Sequence, residues 1–147
     1  MSDWDSRFLG LAQHVAGWSK DPSTKCGAVI ADNRNVIASL GFNGFPRGVP
    51  DRPQHLNDRD EKYLRVIHAE ENAILFSRQI TLGCTIYTWP VSPCNRCASL
   101  IIQSGIGRVC YPEPNSEMQL SYYKRWHRET LAMLEMLKDA GVVICMI

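Results

Sequence analysis

Two short segments constrain this chain more than any other feature of its sequence. His68-Ala69-Glu70 opens one predicted helix, and Pro93-Cys94-Asn95-Arg96-Cys97 opens the next. Cys94 and Cys97 lie three residues apart on a first helical turn, where their sulfurs share a face and the positive helix end favours the thiolate. The fold must therefore bring an imidazole, a carboxylate and two thiolates to two helix N-termini.

This set of side chains predicts a zinc site. Zinc takes nitrogen and sulfur ligands in a tetrahedral arrangement, and a catalytic zinc keeps its fourth position open for water. His68, Cys94 and Cys97 leave that position open, and water bound there ionises near neutral pH. Glu70 can lie beside it and move protons without binding the metal. A Cys-x-x-Cys pair alone is also typical of structural zinc or redox sites, but a structural zinc needs a fourth ligand.

The hydrophobic pattern around these segments alternates between strands and helices. Asp3 is the predicted N-cap of a helix over about 4–18, and strands over 25–31 and 36–41 form a hairpin. The remaining predicted elements are a helix over 68–78, a strand over 85–89, a helix over 93–103, a strand over 108–111, one long helix over 117–140 ended by Gly141, and a strand over 142–147. Apolar strands need cover on both faces, which predicts a three-layer α/β/α sandwich in a single domain over 1–147.

Charge and the N-terminal residues limit the classes of partner. Sixteen Lys and Arg against 15 Asp and Glu give a net charge of +1, which disfavours a long nucleic acid as partner. The segment Met1-Ser2-Asp3-Trp4-Asp5 lacks the basic and apolar regions of a signal peptide, and no apolar run approaches ~18 residues. We therefore expect a cytoplasmic protein with no membrane partner, whose cysteines stay reduced.

The order His-x-Glu then Pro-Cys-x-x-Cys is the signature of zinc deaminases that act on the amino group of cytosine or adenine. On this signature the chain resembles the cytidine and deoxycytidylate (dCMP) deaminase superfamily, in particular its bacterial and phage dCMP deaminases. The likeness covers nearly the whole chain. Its matching segments are 19–30, 41–46, 68–74 and 101–106.

The resemblance implies a fold and a reaction. It implies a five-stranded mixed sheet flanked by helices, with one catalytic Zn²⁺ per chain on His68, Cys94 and Cys97 and with Glu70 as the proton shuttle. The reaction that it implies is hydrolysis of dCMP to dUMP and ammonia, which would supply dUMP for thymidylate synthesis. Some members carry a second Cys/His zinc site before the His-Ala-Glu segment, where this chain offers only His55.

The resemblance also implies substrate contacts and regulation. It places Asn43 on the nucleotide, Ser23 and Lys25 near its phosphate, and the backbone amide of Ala69 on the base carbonyl. It further implies a homo-hexamer that dCTP activates and dTTP inhibits, with Mg²⁺, through the 41–46 segment and the loop that follows it. That segment departs from the family, because Phe42 replaces a Tyr.

Several residues also have plain structural interpretations. Trp89, at a strand end, either stacks on the base or covers the core, and Asn43 can simply hold a turn beside Gly44. The basic and aromatic cluster at 122–128 is expected on the solvated face of the long helix. The cysteines and histidines expected to serve in packing or hydrogen bonding alone are Cys26, Cys84, Cys110, His14, His55 and His127.

Two other functions stay open from the sequence. A deaminase that edits tRNA or single-stranded DNA shares the same metal motif, although the near-neutral charge argues against it. A non-catalytic zinc protein that binds nucleotides is the second.

Overall fold

The computed structural model describes residues 2–147 and contains a five-stranded mixed sheet. The strands are β1 (Gly27–Ala31), β2 (Ile37–Phe42), β3 (Thr85–Trp89), β4 (Arg108–Tyr111) and β5 (Val143–Met146). They lie in the order β2-β1-β3-β4-β5. β1 is antiparallel to β2 and β3, while β4 is parallel to β3 and β5. The predicted hairpin and mixed sheet are confirmed.

Helices cover both faces of this sheet. They are α1 (Asp3–Ala16), α2 (Pro53–Leu56), α3 (Arg59–Tyr63), α4 (Ala69–Phe76), α5 (Asn95–Gln103), α6 (Glu117–Arg125) and α7 (His127–Asp139). On the α1 face, Phe8 packs against Tyr87 of β3. The neighbouring Ile86 faces the other side, where it packs with residues of α4, α5 and α7. This alternation along β3 produces the predicted three layers.

No helix within residues 2–147 combines the length and the apolar character that crossing a membrane requires.

The start of α1 differs from the prediction by one residue. Ser2, and not Asp3, is the N-cap: its hydroxyl accepts a hydrogen bond from Asp5 N at 3.1 Å, and Asp5 Oδ2 accepts one from Ser2 N at 2.8 Å. This reciprocal pair needs a side chain with a carboxyl or amide oxygen three residues after the cap. Asp5 meets that need for Ser2, whereas a cap at Asp3 would place Ser6 there.

The single helix predicted over 117–140 is wrong, because it is two helices. Trp126 joins α6 to α7 with φ −105° and ψ 34°, outside the helical region. No Pro or Gly marks the break in the sequence. The Trp126 ring instead lies 6.4 Å from that of Tyr63 on α3, a short helix with no counterpart among the predicted elements.

The start of α4 is held close to β2 by a glycine. A Cβ at Gly41 would lie 2.5 Å from both the Ala69 carbonyl oxygen and the Ala73 nitrogen. Only a residue without a side chain permits this approach. Gly41 thereby positions the helix start that carries His68 and Glu70.

An ion pair between a buried carboxylate and a partly exposed guanidinium group ties α1 to the centre of the sheet. Arg108 of β4 donates to both oxygens of Asp5, over 2.7 and 3.1 Å, and the Tyr87 hydroxyl donates over 2.8 Å. The Asp5 side chain is only 5% exposed. The Arg108 guanidinium holds the pKa of Asp5 well below its usual range, against the opposing effect of burial. Asp5 therefore stabilises the fold as a carboxylate.

We predict that Asp5→Asn lowers the free energy of unfolding at pH 7 by about 2–3 kcal/mol, because Arg108 loses its buried partner. Since the pKa of Asp5 is lower in the folded than in the unfolded chain, its contribution is complete above the unfolded pKa of about 4 and fades as the pH falls below it. Urea unfolding at pH 7 and at acidic pH measures both effects, with a weaker acid dependence expected in the variant. Asp3→Asn, in an exposed pair with Arg7, is the matched control. Equal losses of unfolding free energy in Asp5→Asn and Asp3→Asn would contradict the stabilising role assigned to the Asp5 carboxylate.

Candidate active site

The starts of α4 and α5 bring the two predicted segments together. His68 is the N-cap of α4 and Cys94 that of α5, where the Cys94 sulfur accepts a hydrogen bond from Cys97 N over 3.4 Å. Glu71 Oε2 accepts a hydrogen bond from His68 N over 2.8 Å, which orients the first turn of α4. The imidazole and the two sulfurs therefore meet at two positive helix ends.

The geometry of these three side chains fits a zinc ion. His68 Nδ1 lies 3.5 Å from Cys94 Sγ and 3.4 Å from Cys97 Sγ, and all three ligand atoms fall within 4.8 Å of one another. Zinc bonds of ideal tetrahedral geometry would separate a nitrogen from a sulfur ligand by about 3.6 Å. Within residues 2–147 this is the group of His, Cys, Asp and Glu side chains with metal-binding spacing. The three predicted ligands are thus brought together.

Glu70 lies beside these ligands without joining them. Its side chain is buried, and its Oε2 accepts a hydrogen bond from Cys97 Sγ over 3.6 Å. Burial raises the pKa of Glu70 to about 7, although the nearby His68 charge acts in the opposite direction. A carboxyl group with a pKa near neutrality can both accept and donate a proton, as general acid and base catalysis requires.

The three ligand side chains form a charged cluster. The hydrogen bond from Cys97 lowers the pKa of Cys94 to about 4 and raises that of Cys97 above its usual range. The hydrogen bond with Cys94 raises the pKa of His68 to about 9. A divalent cation favours the deprotonated form of each ligand, so zinc would replace protons on His68 and Cys97.

A cavity of about 460 Å³ opens onto this cluster. His68, Glu70 and Cys94 line it, and so do Ser23 and Asn43, two of the predicted substrate contacts. The cavity falls in the size range of pockets that bind small molecules. Cys97 is fully buried within α5.

Three predicted substrate contacts lie outside this lining. Lys25 Nζ donates to the Ser19 carbonyl over 2.8 Å, and Trp89 packs with the core on the α1 face of the sheet. The structure thus brings neither side chain to the cavity. Ala69 is buried as the first residue of α4, between His68 and Glu70, and its predicted contact involves only its backbone amide.

Two groups of residues that line the cavity were either not predicted as site residues or were predicted to face solvent. The first comes from α3 and its flank, and the second from α6 and α7. They are Arg59, Lys62, Tyr63, Val66, Met118, Ser121, Tyr122, Arg125, Trp126 and Glu129. The prediction of a solvated face for the 122–128 cluster is wrong for Tyr122 and Trp126, which are partly buried at the cavity, whereas Arg125 is exposed and lines the cavity as well. Tyr122, Arg125 and Trp126 recur at three and four residues on one helical face, and this spacing was the available signal.

Some charged side chains of the cavity wall have ion-pair partners, and others have none within the described part of the chain. Lys62 pairs with Asp21 over 3.0 Å, and Arg96 with Glu71 over 3.4 Å. Among the ion pairs of residues 2–147, none involves Arg59 or Arg125. Two guanidinium groups at the cavity are thus available to an anionic ligand.

Comparison with known proteins agrees with this chemistry. Residues 2–113 match the family model described as the cytidine and deoxycytidylate deaminase zinc-binding region. An uncharacterized deaminase in the luxG 3′ region of Aliivibrio fischeri is 43% identical over 144 residues, which are 98% of this chain and 93% of that protein. Deoxycytidylate deaminase of Mus musculus is 38% identical over 146 residues, 95% of this chain and 77% of that protein.

The fold also matches a solved structure. The dCMP deaminase of the cyanophage S-TIM5, crystallised in complex with dCMP and dUMP, superposes with a TM-score of 0.74 over 100% of this chain and 99% of that one. Their sequences are 21% identical, so this likeness concerns the fold.

We predict that Cys97→Ser reduces bound zinc to less than about one tenth of the wild-type content, because a hydroxyl is a poor replacement for a thiolate ligand. Atomic absorption of the purified protein measures the metal. Cys145→Ser, which changes a thiol on the edge strand β5, is the control and keeps the full content. A Cys97→Ser protein with full zinc would contradict the ligand assignment.

Proposed function

Because the chain belongs to the cytidine and deoxycytidylate deaminase family, we propose that it hydrolyses dCMP to dUMP and ammonia, with one zinc per chain and in a single catalytic domain. The observation that carries this proposal is the position of Glu70. Its buried carboxyl group lies beside His68, Cys94 and Cys97 and opens onto a cavity that can hold one nucleotide.

The protein side chains supply the proton transfers of this reaction. Zinc held by the three ligands supplies Lewis-acid activation of water. Glu70 accepts a proton from the water that attacks C4 of the ring and delivers it to the ring nitrogen N3. A bond from C4 to oxygen forms and the bond from C4 to the amino nitrogen breaks, and the remaining water proton leaves with ammonia. Burial, which raises the pKa of Glu70, helps its carboxyl group to take up a proton as well as to release one.

The cavity wall supports a nucleotide with a terminal phosphate. Ser23 and Asn43 remain proposed substrate contacts, together with the amide of Ala69, and we add Arg59 and Arg125 as partners of the phosphate. A guanidinium group offers a planar pair of donors that matches phosphate oxygens. These arginines take the place that the sequence analysis gave to Lys25, whose ammonium group is engaged with the Ser19 carbonyl.

The two other functions are less well supported. Curated relatives of this chain from mouse and human are deoxycytidylate deaminases, and the net charge of +1 gives no basic excess for a polynucleotide. A non-catalytic zinc protein would have no use for a buried carboxyl group beside an incomplete ligand set. Hydrolysis of a mononucleotide accounts for both the near-neutral net charge and the buried carboxyl group beside the three ligands.

Assembly, regulation and location follow the family resemblance alone. We propose a homo-hexamer in the cytoplasm that dCTP activates and dTTP inhibits, with Mg²⁺. The 41–46 segment, which includes the departure Phe42, is the proposed effector region. Phe42 is partly exposed at the end of β2, with its ring edge toward that of Trp18.

We predict that Glu70→Gln lowers kcat for dCMP by roughly 10³-fold or more while the protein keeps its zinc and its fold, because the amide cannot carry the proton. Steady-state kinetics and metal analysis of the same preparation measure this. Glu135→Gln, on the exposed side of α7, is the matched control and should turn over dCMP at the wild-type rate. A Glu70→Gln enzyme of near-normal kcat would exclude Glu70 as the proton shuttle.

A second prediction concerns the substrate. Among dCMP, CMP, deoxycytidine, dCTP and a cytosine-bearing oligonucleotide, we expect ammonia release with dCMP to have the highest kcat/KM, because Arg59 and Arg125 provide for one phosphate at the cavity. Ammonia assays on the purified zinc protein, with and without dCTP as activator, measure the ranking. Turnover of the oligonucleotide alone would move the protein to the editing class, and no turnover of any substrate would favour a non-catalytic role.

A further inference from the structure

The chain leaves the sheet between β2 and α4 in a segment that we call the 45–66 excursion. Two hydrogen bonds close its base, from Gly44 N to the Ile67 carbonyl over 3.1 Å and from Ile67 N to the Gly44 carbonyl over 2.8 Å. It contains α2 and α3 and contributes Arg59 and Tyr63 to the cavity. What holds this long segment in place therefore matters to the cavity.

Lys62 is the one buried residue of the excursion. Its side chain is 8% exposed, and its partner Asp21 is 7% exposed, with 3.0 Å between Lys62 Nζ and Asp21 Oδ1. Lys62 Nζ also donates to Ser23 Oγ over 3.2 Å. A buried lysine that carries its charge needs such partners, because an isolated charge in the interior is strongly unfavourable.

Asp21 connects this lysine to the rest of the cavity wall. Its Oδ1 accepts hydrogen bonds from the backbone nitrogens of Ser23 and Thr24, over 2.8 and 3.1 Å. Its Oδ2 accepts one from Asn43 Nδ2 over 3.4 Å. One carboxylate thus joins three segments: the loop after α1, the end of β2, and α3.

A second, more exposed ion pair also joins the loop after α1 to the 45–66 excursion and provides a comparison. Lys20 Nζ lies 2.9 Å from Asp51 Oδ2, with the two side chains 74% and 32% exposed. Exposed pairs contribute little because water screens them, whereas breaking a buried pair leaves an unpaired charge in the interior. The excursion should depend on Lys62 and Asp21 and not on Lys20 and Asp51.

We propose that the ion pair of Lys62 and Asp21 is a clasp that fastens the 45–66 excursion and so positions Arg59 and Tyr63 for nucleotide binding. Arg59 lies three residues before Lys62, on the same face of α3, and Tyr63 follows it with its ring against Trp126. Lys62 and Asp21 are positioning residues: they act through Arg59, Tyr63 and Ser23. This role rests on the proposed function, since the ligand is the nucleotide substrate.

The kinetic test uses Lys62→Met and Asp21→Asn, singly and together. We expect each variant to raise KM for dCMP by about tenfold with kcat within about twofold of wild type, the pattern of lost substrate binding with unchanged chemistry. The double variant buries no unpaired charge, so its melting temperature should recover towards the wild-type value while KM stays high. If the pair served stability alone, KM would recover with the melting temperature, and the proposal would be wrong.

The Asp21→Asn variant separates positioning from direct contact. If Lys62 bound the phosphate itself, freeing it from Asp21 would leave KM unchanged or lower it, which would overturn the clasp. The matched controls Lys20→Met and Asp51→Asn break the exposed pair between the same segments and should leave both kinetic constants unchanged. A KM increase of similar size in the controls would also overturn it.

Hydrogen exchange measured by mass spectrometry tests the clasp without substrate. We expect faster exchange over 45–66 in Lys62→Met, Asp21→Asn and the double variant, with exchange in α5 and the sheet unchanged. Unchanged exchange over 45–66 would refute the clasp. Should the wild-type protein fail to turn over dCMP, the proposed function would fall, while this measurement would still decide whether the pair fastens the excursion.

Discussion

The approach of two helix N-termini is the constraint on which the rest of the structure depends. α4 and α5 must start close enough for His68 to lie within 3.5 Å of both cysteine sulfurs. β1 and β3 are neighbours in the sheet, and the helices that carry the ligands pack on the same face above them. Gly41 allows α4 to approach its strand. The two positive helix ends then favour the thiolates that a metal needs.

Two ion pairs with buried carboxylates, Asp5 with Arg108 and Asp21 with Lys62, serve different ends. On the α1 face, Asp5 and Arg108 join a helix to central strands and neither residue lines the cavity, so their contribution is to stability. Asp21 and Lys62, in contrast, line the cavity itself. A buried ion pair seldom stabilises more than apolar packing would, so its presence at a cavity wall is better explained by the geometry that it imposes.

The metal centre could be predicted because its residues come in two short local motifs. Contacts between residues that are distant in sequence could not be predicted. The spacing of His68, Glu70, Cys94 and Cys97 pointed to the three side chains that the structure groups together and to the carboxyl group beside them, because helix starts place such residues in a known way. Lys62 has its partner 41 residues away, so no local pattern reveals that it is buried. The break at Trp126 depends likewise on a distant ring, that of Tyr63.

Strand alternation decides whether Trp89 faces the cavity or the core, and the sequence left this open. Its position at the end of β3 suggested a pocket, yet Trp89 lies two residues from Tyr87 and must share its face of the sheet, which is the α1 face. Just before β1, the neighbouring residues Lys25 and Cys26 also point to different places, because Cys26 lines the cavity and Lys25 turns toward Ser19. The sequence shows the alternation but not which of the two faces carries the cavity.

The hydrogen bonds of Asn43 limit what this residue can offer a nucleotide. Its Nδ2 donates to Asp21 Oδ2 and to the Thr24 carbonyl, over 3.4 and 3.0 Å, which uses both of its hydrogens. Its Oδ1 accepts from Cys26 N over 2.8 Å and keeps a second acceptor position. In this network Asn43 can accept a hydrogen bond from a sugar hydroxyl but has no hydrogen left for a phosphate. Hydrogen-bond donors to the phosphate must therefore come from other residues of the cavity wall, such as Ser23, Arg59 and Arg125, and Arg59 depends on the α3 segment for its position.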